Sequence, residues 1–155
     1  MKIKYKKISP SAKEPIKAYR QDAGFDLSAN ETVTITTSSI HAVSTGIAFD
    51  IPSGYYGQLQ ERSGFSIKNT LKLKAGVIDS GYQGEIKLVF VNAGDAPVKI
   101  FTGDRIAQIV FHKLPLITLE ETDTFDEVSD RSDAGLGSTD SNDGTNSPVS
   151  VHHSK

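Results

Sequence analysis

The 155-residue sequence contains no cysteine and no long apolar run. Without cysteine, neither a disulfide nor a thiolate metal site can stabilise the chain, so an apolar core must do so. Hydrophobic residues make up 37% of the sequence, which is enough for the core of one ordinary domain. Because no run reaches the roughly 18 apolar residues of a membrane span, we expect no transmembrane segment.

An excess of charge of either sign is also missing. Lys and Arg total 17 against 19 Asp and Glu, which gives a formal net charge of −2. This balance argues against a chain that coats nucleic acid or an anionic membrane, although a small phosphorylated ligand needs only a few well-placed cations. Residues 1–8 alternate in lysine but contain no apolar stretch, so we expect no secretory signal and a cytoplasmic location.

Short segments of strand-type residues recur at intervals of about ten residues, and several of them alternate between polar and apolar side chains. This spacing predicts an all-β barrel or sandwich. A helical turn is indicated only at residues 65–71. The predicted strands are 2–6, 32–36, 42–51, 55–60, 84–92, 98–101 and 105–114.

The composition changes after residue 120. Residues 120–130 are acidic, and residues 140–155 are mostly Ser, Asn, Asp and Gly, which cannot bury enough apolar area to offset the entropy of ordering. Residues 131–139 are rich in Gly and Ser with one Arg, so they are either a linker, which composition alone favours, or a mobile arm that grips phosphate. The predicted organisation is a β-barrel at 1–120, a linker and arm at 121–140 and a disordered tail at 141–155.

Two segments with glycine beside polar side chains could bind a phosphorylated ligand. Residues 61–66 place an Arg, a hydroxyl and a Gly where a strand gives way to a helical turn, and backbone N–H groups there attract anions. A helix N-cap beside a solvated Arg explains them equally well. Residues 76–84 form a predicted hairpin with three Gly, one Asp and one Tyr, whose backbone a flat ligand could approach closely, although a plain hairpin is the alternative.

Two further segments carry charge near a turn or strand. Residues 22–27 hold two Asp around a Gly, which on their own favour an ordinary Asx turn. In residues 103–108, a period of two places Arg105 and Gln108 on opposite faces of a strand. Of the four histidines, two lie in the predicted tail and two in strand-like settings, and no metal-ligand spacing, Walker loop or nucleophile elbow is present.

Taken in order, these segments resemble the five motifs of the homotrimeric dUTP diphosphatase (dUTPase) family. The strongest matches are Gly-Val-Ile-Asp-Ser-Gly-Tyr-Gln-Gly in the predicted hairpin and Gly-Asp-Arg-Ile-Ala-Gln in the last strand. The resemblance extends from residue 1 to about residue 140. The matching segments are 22–29, 62–66, 76–84, 103–111 and 131–139.

This resemblance implies a jelly-roll-like β-barrel or sandwich with a flexible C-terminal arm. It also implies a homotrimer with three active sites between subunits. The implied reaction is Mg²⁺-dependent hydrolysis of dUTP to dUMP and diphosphate by water attack on the α-phosphorus. Such a reaction controls the dUTP level and supplies dUMP for dTMP synthesis.

The resemblance assigns a role to each matching residue. It implies that Asp79 is the general base that orients the attacking water, and that the Tyr82 ring lies under the deoxyribose and excludes a 2′-hydroxyl. Asp26 would hold an arginine and Mg²⁺-bound water in place. The implied uracil contacts are the backbones of Gly76 and Val77. The implied phosphate contacts are Arg62, Ser63, Gly64 and Gln108, joined by Arg131, Leu136, Gly137, Ser138 and Thr139 of another subunit's arm.

The sequence departs from the family pattern at three positions. Ser132 replaces a glycine at the start of the arm, and Leu136 stands where an aromatic residue is common, so that Leu136 would cover uracil by apolar contact without ring stacking. Leu73 stands where some members have an asparagine, which leaves base recognition to the backbone.

Three alternatives remain open at this stage. Deoxycytidine triphosphate deaminases resemble this family, but their catalytic Glu falls about ten residues after the hairpin Asp, and Val89 occupies that position here. A nucleotide-responsive protein that regulates a partner protein is a second alternative, although no insertion between the motifs offers a surface for it. A structural β-sandwich trimer is the third.

Overall fold

The computed structural model describes residues 1–66, 69–74 and 76–124, without the side chain of Ser66. Residues Met1–Ile117 form one compact unit, and a second unit begins at Thr118. Within the described ranges, no helix is long and apolar enough to cross a membrane. In chain order the elements are β1 Lys4–Lys7, β2 Phe25–Ser28, β3 Val33–Ile35, β4 Ile40–Ser44, β5 Ile47–Asp50, β6 Tyr55–Glu61, α1 Ser63–Ser66, β7 Leu71–Lys74, β8 Val77–Ile78, β9 Lys87–Asn92, β10 Val98–Ile100 and β11 Arg105–Lys113.

The strands pair antiparallel, and most neighbours in a sheet are distant in sequence. The largest sheet has the order β2-β11-β6-β8, and a second sheet has the order β4-β9-β7. Two smaller sheets pair β1 with β5 and β3 with β10. Because the chain passes repeatedly from one sheet to another, the strands enclose a shared core, as in a jelly roll. The predicted all-β fold of jelly-roll type is therefore confirmed.

The core is built from side chains that alternate along the strands. On and beside β9, Ile86, Leu88 and Phe90 are at most 1% exposed, whereas Val89 and Val91 on the opposite face are only half-buried. This alternation follows from the period of two in a strand. The central residues are Leu27, Ile35, Val43, Ile47, Ile51, Leu71, Leu88, Phe90, Ile100, Ile106 and Ile109.

The segment predicted as one strand at residues 42–51 is two strands. Gly46 has a φ of +64°, a conformation that glycine adopts far more readily than other residues, and it ends the β4 ladder before β5 begins. The side chain of Thr45 is buried at this break, and its hydroxyl donates a 2.6 Å hydrogen bond to the carbonyl of Ile86. The break therefore joins two sheets instead of extending one.

Two other local predictions were wrong in detail. The helical turn begins at Ser63 rather than Phe65, and Leu71, placed in the turn by its sequence, is fully buried in β7 beside β9. The alternation of Lys with Ile and Tyr at residues 2–6 predicts a half-buried edge strand. The first strand does lie at a sheet edge, but all its side chains are exposed. Tyr5 packs at the surface, with its ring centroid 6.4 Å from that of Phe49.

A buried asparagine at the end of β9 joins several chain segments. The Asn92 amide nitrogen donates to the carbonyls of Ile35 (3.0 Å) and Ala96 (2.8 Å). Its amide oxygen accepts from the Thr70 hydroxyl (2.8 Å) and from the Gly94 N–H (3.0 Å). Asn92 is 0% exposed, and a buried amide is stabilising only when its donors and acceptor are satisfied in this way.

We expect Asn92→Ala to lower the free energy of unfolding by about 2–4 kcal/mol, because it leaves the partners of the amide unpaired. Denaturant unfolding measures this loss. Asn30→Ala is the matched control, since the Asn30 side chain accepts a single exposed hydrogen bond from Ser11 and should cost under about 1 kcal/mol. Equal losses in the two variants would contradict a special role for Asn92.

Candidate functional site

A β-bulge at the start of β11 brings two polar side chains to one face. The register with β2 pairs Arg105 with Ser28 but Ala107 with Leu27, so one residue of β11 is extra. This shift moves Arg105 to the face that also carries Gln108, which is paired with Asp26. The prediction that Arg105 and Gln108 lie on opposite faces was wrong because it assumed an unbroken period of two.

Asp26 lies between two arginines on this face. Its Oδ1 accepts a 2.7 Å charged hydrogen bond from Arg62 Nε, and its Oδ2 accepts a 3.0 Å bond from Arg105 Nη1. Arg62 Nη1 also donates to the carbonyl of Arg105 at 2.8 Å. The Asp26 side chain is only 12% exposed, whereas those of Arg62 and Arg105 are 24% and 44% exposed. One buried carboxylate thus orients two accessible cations, and the cluster has a net positive charge.

The Gln108 side chain is bonded to β6 and packs closely against the backbone that precedes β2. Its Nε2 donates to the carbonyl of Glu61 at 3.1 Å. A Cβ atom on Gly24 would come within 2.3 Å of Gln108 Oε1, so a larger residue at this position would displace the Gln108 side chain. This explains the glycine between the two aspartates of residues 22–27 better than an isolated turn does.

Asp26, Arg62 and Arg105 form what we call the arginine cluster. The segment after β6 places exposed groups next to Arg62 of this cluster. Ser63 and Gly64 are exposed in α1, directly after Arg62. The helix has only four residues, and its Phe65 N–H already donates to the carbonyl of Arg62 at 3.0 Å. Anion binding at this position would therefore depend on the arginines and nearby N–H groups more than on a helix dipole, which a single turn hardly develops.

The segment predicted as a hairpin at residues 76–84 is a loop between two sheets. β8 pairs with β6, whereas β9 pairs with β4 and β7, so the two arms of the supposed hairpin do not pair with each other. Only its tip is a tight turn, in which the Tyr82 N–H donates to the carbonyl of Asp79 at 3.3 Å. The glycine and turn residues correctly indicated that the chain reverses direction here. The pairing partners of β8 and β9, however, are other strands of the chain.

This loop borders an open cavity of about 620 Å³. Asp79 and Tyr82 both line the cavity and both are exposed, so the structure brings these two predicted site residues together. The Tyr82 hydroxyl donates to the carbonyl of Glu85 at 3.0 Å. The cavity is lined by Val77, Ile78, Asp79, Tyr82, Glu85, Ile86 and Lys87.

The backbone at the cavity edge is partly engaged in strand pairing. The carbonyl of Gly76 accepts a 2.7 Å hydrogen bond from the Leu59 N–H. Val77 pairs with Gln58, and its side chain is exposed. The carbonyl of Gly76 is therefore committed to β6, and contacts to a flat ligand would fall on other backbone groups nearby.

The cavity borders β8 at one edge of the largest sheet, and Asp26 of the arginine cluster lies on β2 at the other edge. Along one row, Asp26 pairs with Gln108 and Gln108 pairs with Gln60, while Val77 at the far edge pairs with Gln58. Paired residues share a face, so Val77 and Asp26 lie on the same side of the sheet. Three strand spacings, about 14 Å, separate β2 from β8.

Some predicted site residues lie beyond the described ranges. These residues are Arg131, Leu136, Gly137, Ser138 and Thr139, together with the predicted tail at 141–155. Among the residues that the structure does describe, no group of three or more His, Cys, Asp or Glu side chains could hold a metal ion directly.

Two residues belong to the site although the motifs assigned them no role. Arg105 completes the arginine pair around Asp26, and Glu85 lines the cavity beside Asp79. A signal for Arg105 was present, because a glycine beside a strand often accompanies a bulge that re-aims a side chain, and Gly103 precedes it here. Glu85 had no such signal, since its partners are about 40 residues away in sequence.

Comparison with known proteins agrees with this geometry. The dUTPase family profile matches residues 11–140. A deoxyuridine 5′-triphosphate nucleotidohydrolase of Fowlpox virus is 38% identical over 135 residues, which are 86% of this chain and 93% of the relative.

Solved structures of the same family are also similar. A Staphylococcus bacteriophage 80alpha dUTPase with dUpNHpp has a TM-score of 0.85 at 29% identity and covers 88% of this chain and 97% of its own. A mutant dUTPase of phage phi11 of S. aureus, described with the coordination of a structural Mg(II) ion, has a TM-score of 0.78 at 25% identity. That match covers 82% of this chain and 100% of the phage chain. The chain therefore belongs to the dUTPase family, the deoxyuridine 5′-triphosphate nucleotidohydrolases.

Proposed function

We propose that this dUTPase cleaves dUTP to dUMP and diphosphate by Mg²⁺-dependent attack of water on the α-phosphorus. The observation that carries the proposal is the cavity in which Asp79 and Tyr82 meet beside a strand edge. In this role the enzyme controls the dUTP level and supplies dUMP for dTMP synthesis.

Asp79 acts as the general base in the proposed reaction. Its carboxylate is exposed at the cavity, where it can accept a proton from a water molecule. The water oxygen forms a bond to the α-phosphorus as its proton passes to Asp79. The bond from the α-phosphorus to the oxygen bridging the β-phosphorus breaks, and diphosphate leaves with that electron pair. Positioning and charge stabilisation supply most of the catalysis in phosphoryl transfer.

The arginine cluster binds the triphosphate in this proposal. Two guanidinium groups face one buried carboxylate, so a net positive charge remains for an anionic ligand. Each guanidinium has five N–H donors, and Arg62 uses two of them for Asp26 and the Arg105 carbonyl. Ser63, Gly64 and Gln108 extend the same anion site. Asp26 is thus a positioning residue for Arg62 and Arg105.

Mg²⁺ fits this site as an ion held by the triphosphate and water. Asp26 would contact it through water, because a carboxylate offers about four lone-pair sites and the two arginines take one on each oxygen. When bound, the ion would neutralise phosphate charge and favour departure of the diphosphate. A phage phi11 dUTPase is described with a structural Mg(II) ion, so this metal occurs in the family.

Base and sugar selection fall to the loop in this proposal. Val77 and the N–H of Gly76 would bind the uracil edge, since the Gly76 carbonyl is engaged by Leu59. A cytosine edge would leave mismatched polar groups there, at roughly 1–3 kcal/mol each. The Tyr82 ring would pack under the deoxyribose, where its orientation is fixed by the hydroxyl bond to Glu85.

We propose that the enzyme is a homotrimer whose sites lie between subunits. One observation supports this assembly: apolar side chains after β11 are exposed. Leu116 and Ile117 are 103% and 74% exposed in the single chain, and consecutive exposed apolar residues are typical of an interface. Residues Arg131, Leu136, Gly137, Ser138 and Thr139 would close the site from another subunit.

Asp79→Asn should reduce turnover by about 10²–10⁴-fold, because the amide cannot accept the proton from water. Diphosphate release from dUTP measures the rate, and binding of a non-hydrolysable dUTP analogue should persist. Diphosphate release from dCTP and dTTP should be far slower than from dUTP in the unmodified enzyme. Turnover close to that of the unmodified enzyme in Asp79→Asn would remove Asp79 from the mechanism.

Tyr82→Ala should narrow the preference for dUTP over UTP, since it opens space beneath the sugar for a 2′-hydroxyl. The ratio of kcat/KM for the two substrates is the measurement. Tyr82→Phe is the matched control, because it keeps the ring and loses only the hydroxyl bond to Glu85. If Tyr82→Ala lowers kcat/KM equally for dUTP and UTP, the ring stabilises the loop and does not select the sugar.

Truncation after Ser129 should abolish most turnover, because it removes Arg131 and the hydroxyls of Ser138 and Thr139. Truncation after Asp140 keeps these groups and should change turnover little. Steady-state kinetics compares the two. Light scattering of the full chain should give three times 16.7 kDa, about 50 kDa, and both shortened chains should remain trimers. Full activity of the chain truncated after Ser129 would mean that residues 131–139 are only a linker.

A further inference from the structure

The loop that carries Asp79 and Tyr82 has few attachments of its own. β8, which precedes it, has only two residues and pairs only with β6 among the described strands. Every side chain from Asp79 to residue 84 is exposed. A loop with so little burial is free to move unless polar contacts fix it. The position of Asp79 and Tyr82 therefore depends on what holds the far end of the loop.

The far end is tied to the break between β4 and β5. Glu85 Oε1 accepts from the Gly46 N–H at 2.8 Å and from the hydroxyl of Ser44. The next residue, Ile86, is bonded in both directions: its N–H donates to the Ile47 carbonyl at 2.8 Å, and its carbonyl accepts from the Thr45 hydroxyl at 2.6 Å. The loop thus ends on a turn that belongs to another part of the chain.

Glu85 also connects this anchor to the site. Its backbone carbonyl accepts the Tyr82 hydroxyl bond, and its side chain lines the same cavity as Asp79. Glu85 therefore binds the turn through its carboxylate and binds Tyr82 through its backbone carbonyl. Removal of the carboxylate would release the turn without touching the side chains of Asp79 or Tyr82.

We propose that Glu85 is a positioning residue for catalysis, holding Asp79 and Tyr82 in their reactive arrangement through the Ser44 and Gly46 contacts. This inference rests on the proposed roles of Asp79 and Tyr82. A displacement of about 1 Å in a reacting group can reduce a rate by 10²-fold. The carboxylate acts here as a hydrogen-bond acceptor, so its charge is not required.

The chain offers a matched control on the other side of the same turn. Glu31 Oε1 accepts from the Ser44 N–H at 2.6 Å. Glu31 therefore contacts the same turn, but its partners among the described residues are Ser44 and His41, and neither belongs to the loop that carries Asp79 and Tyr82. A variant at Glu31 tests whether any weakening of the turn slows the enzyme.

The experiment measures kcat and KM for dUTP, with light scattering and thermal unfolding, in four variants. Glu85→Ala should remain a trimer and lower kcat by about 10–100-fold, with a smaller change in KM. Glu85→Gln keeps an acceptor oxygen and should retain kcat within about threefold of the unmodified enzyme. Glu31→Ala should also stay within about threefold, and Ser44→Ala, which removes one of the two partners, should lower kcat by about 3–10-fold.

Three outcomes would overturn the proposal. In the first, Glu85→Ala retains the kcat of the unmodified enzyme. In the second, Glu85→Gln is as slow as Glu85→Ala, which would mean that the charge acts directly on the reaction. In the third, Glu31→Ala is as slow as Glu85→Ala, which would assign the effect to the turn. If Glu85→Ala fails to fold, Ser44→Ala decides, and an unchanged kcat refutes the anchor. Asp79→Asn, measured as a fifth variant, separates the two ideas. Full activity of Asp79→Asn would refute the proposed base, whereas an inactive Asp79→Asn beside a Glu85→Ala of unchanged kcat would refute the anchor alone.

Discussion

The pairing of β11 with β2 on one side and β6 on the other is the constraint on which the arginine cluster depends. β11 is the longest strand described, and its register brings Asp26 from β2 beside Arg62, which follows β6. The bulge at its start then turns Arg105 toward the same carboxylate. Three residues from three distant segments meet because one strand aligns their backbones.

The second half of the site is organised in a different way. The cavity beside β8 is formed by an exposed loop, and its geometry depends on polar ties to the turn between β4 and β5 rather than on a continuous ladder. A rigid sheet thus orients the cations, while a loop anchored at its far end carries the proposed base. This division is common in enzymes, because loops can approach a ligand that a buried strand cannot reach.

Buried polar groups contribute to both the fold and the site. Asn92 joins several loops through a fully satisfied amide, and Thr45 joins the β4–β5 break to the residue after Glu85. Among the described residues, no buried side-chain nitrogen or oxygen lacks a hydrogen-bond partner. Satisfied polar contacts of this kind select one arrangement of the sheets, since a shifted register would leave the same groups unpaired in the core.

The sequence by itself determined the all-β class and the family, because the alternation of residues and the order of motifs can be read along the chain. It also pointed to Asp79, Tyr82 and Arg62. Only the tertiary structure decided that Arg105 shares a face with Gln108, that the supposed hairpin spans two sheets, and that Glu85 grips a turn about 40 residues away. These features depend on strand register and long-range hydrogen bonds, which a periodic pattern does not encode.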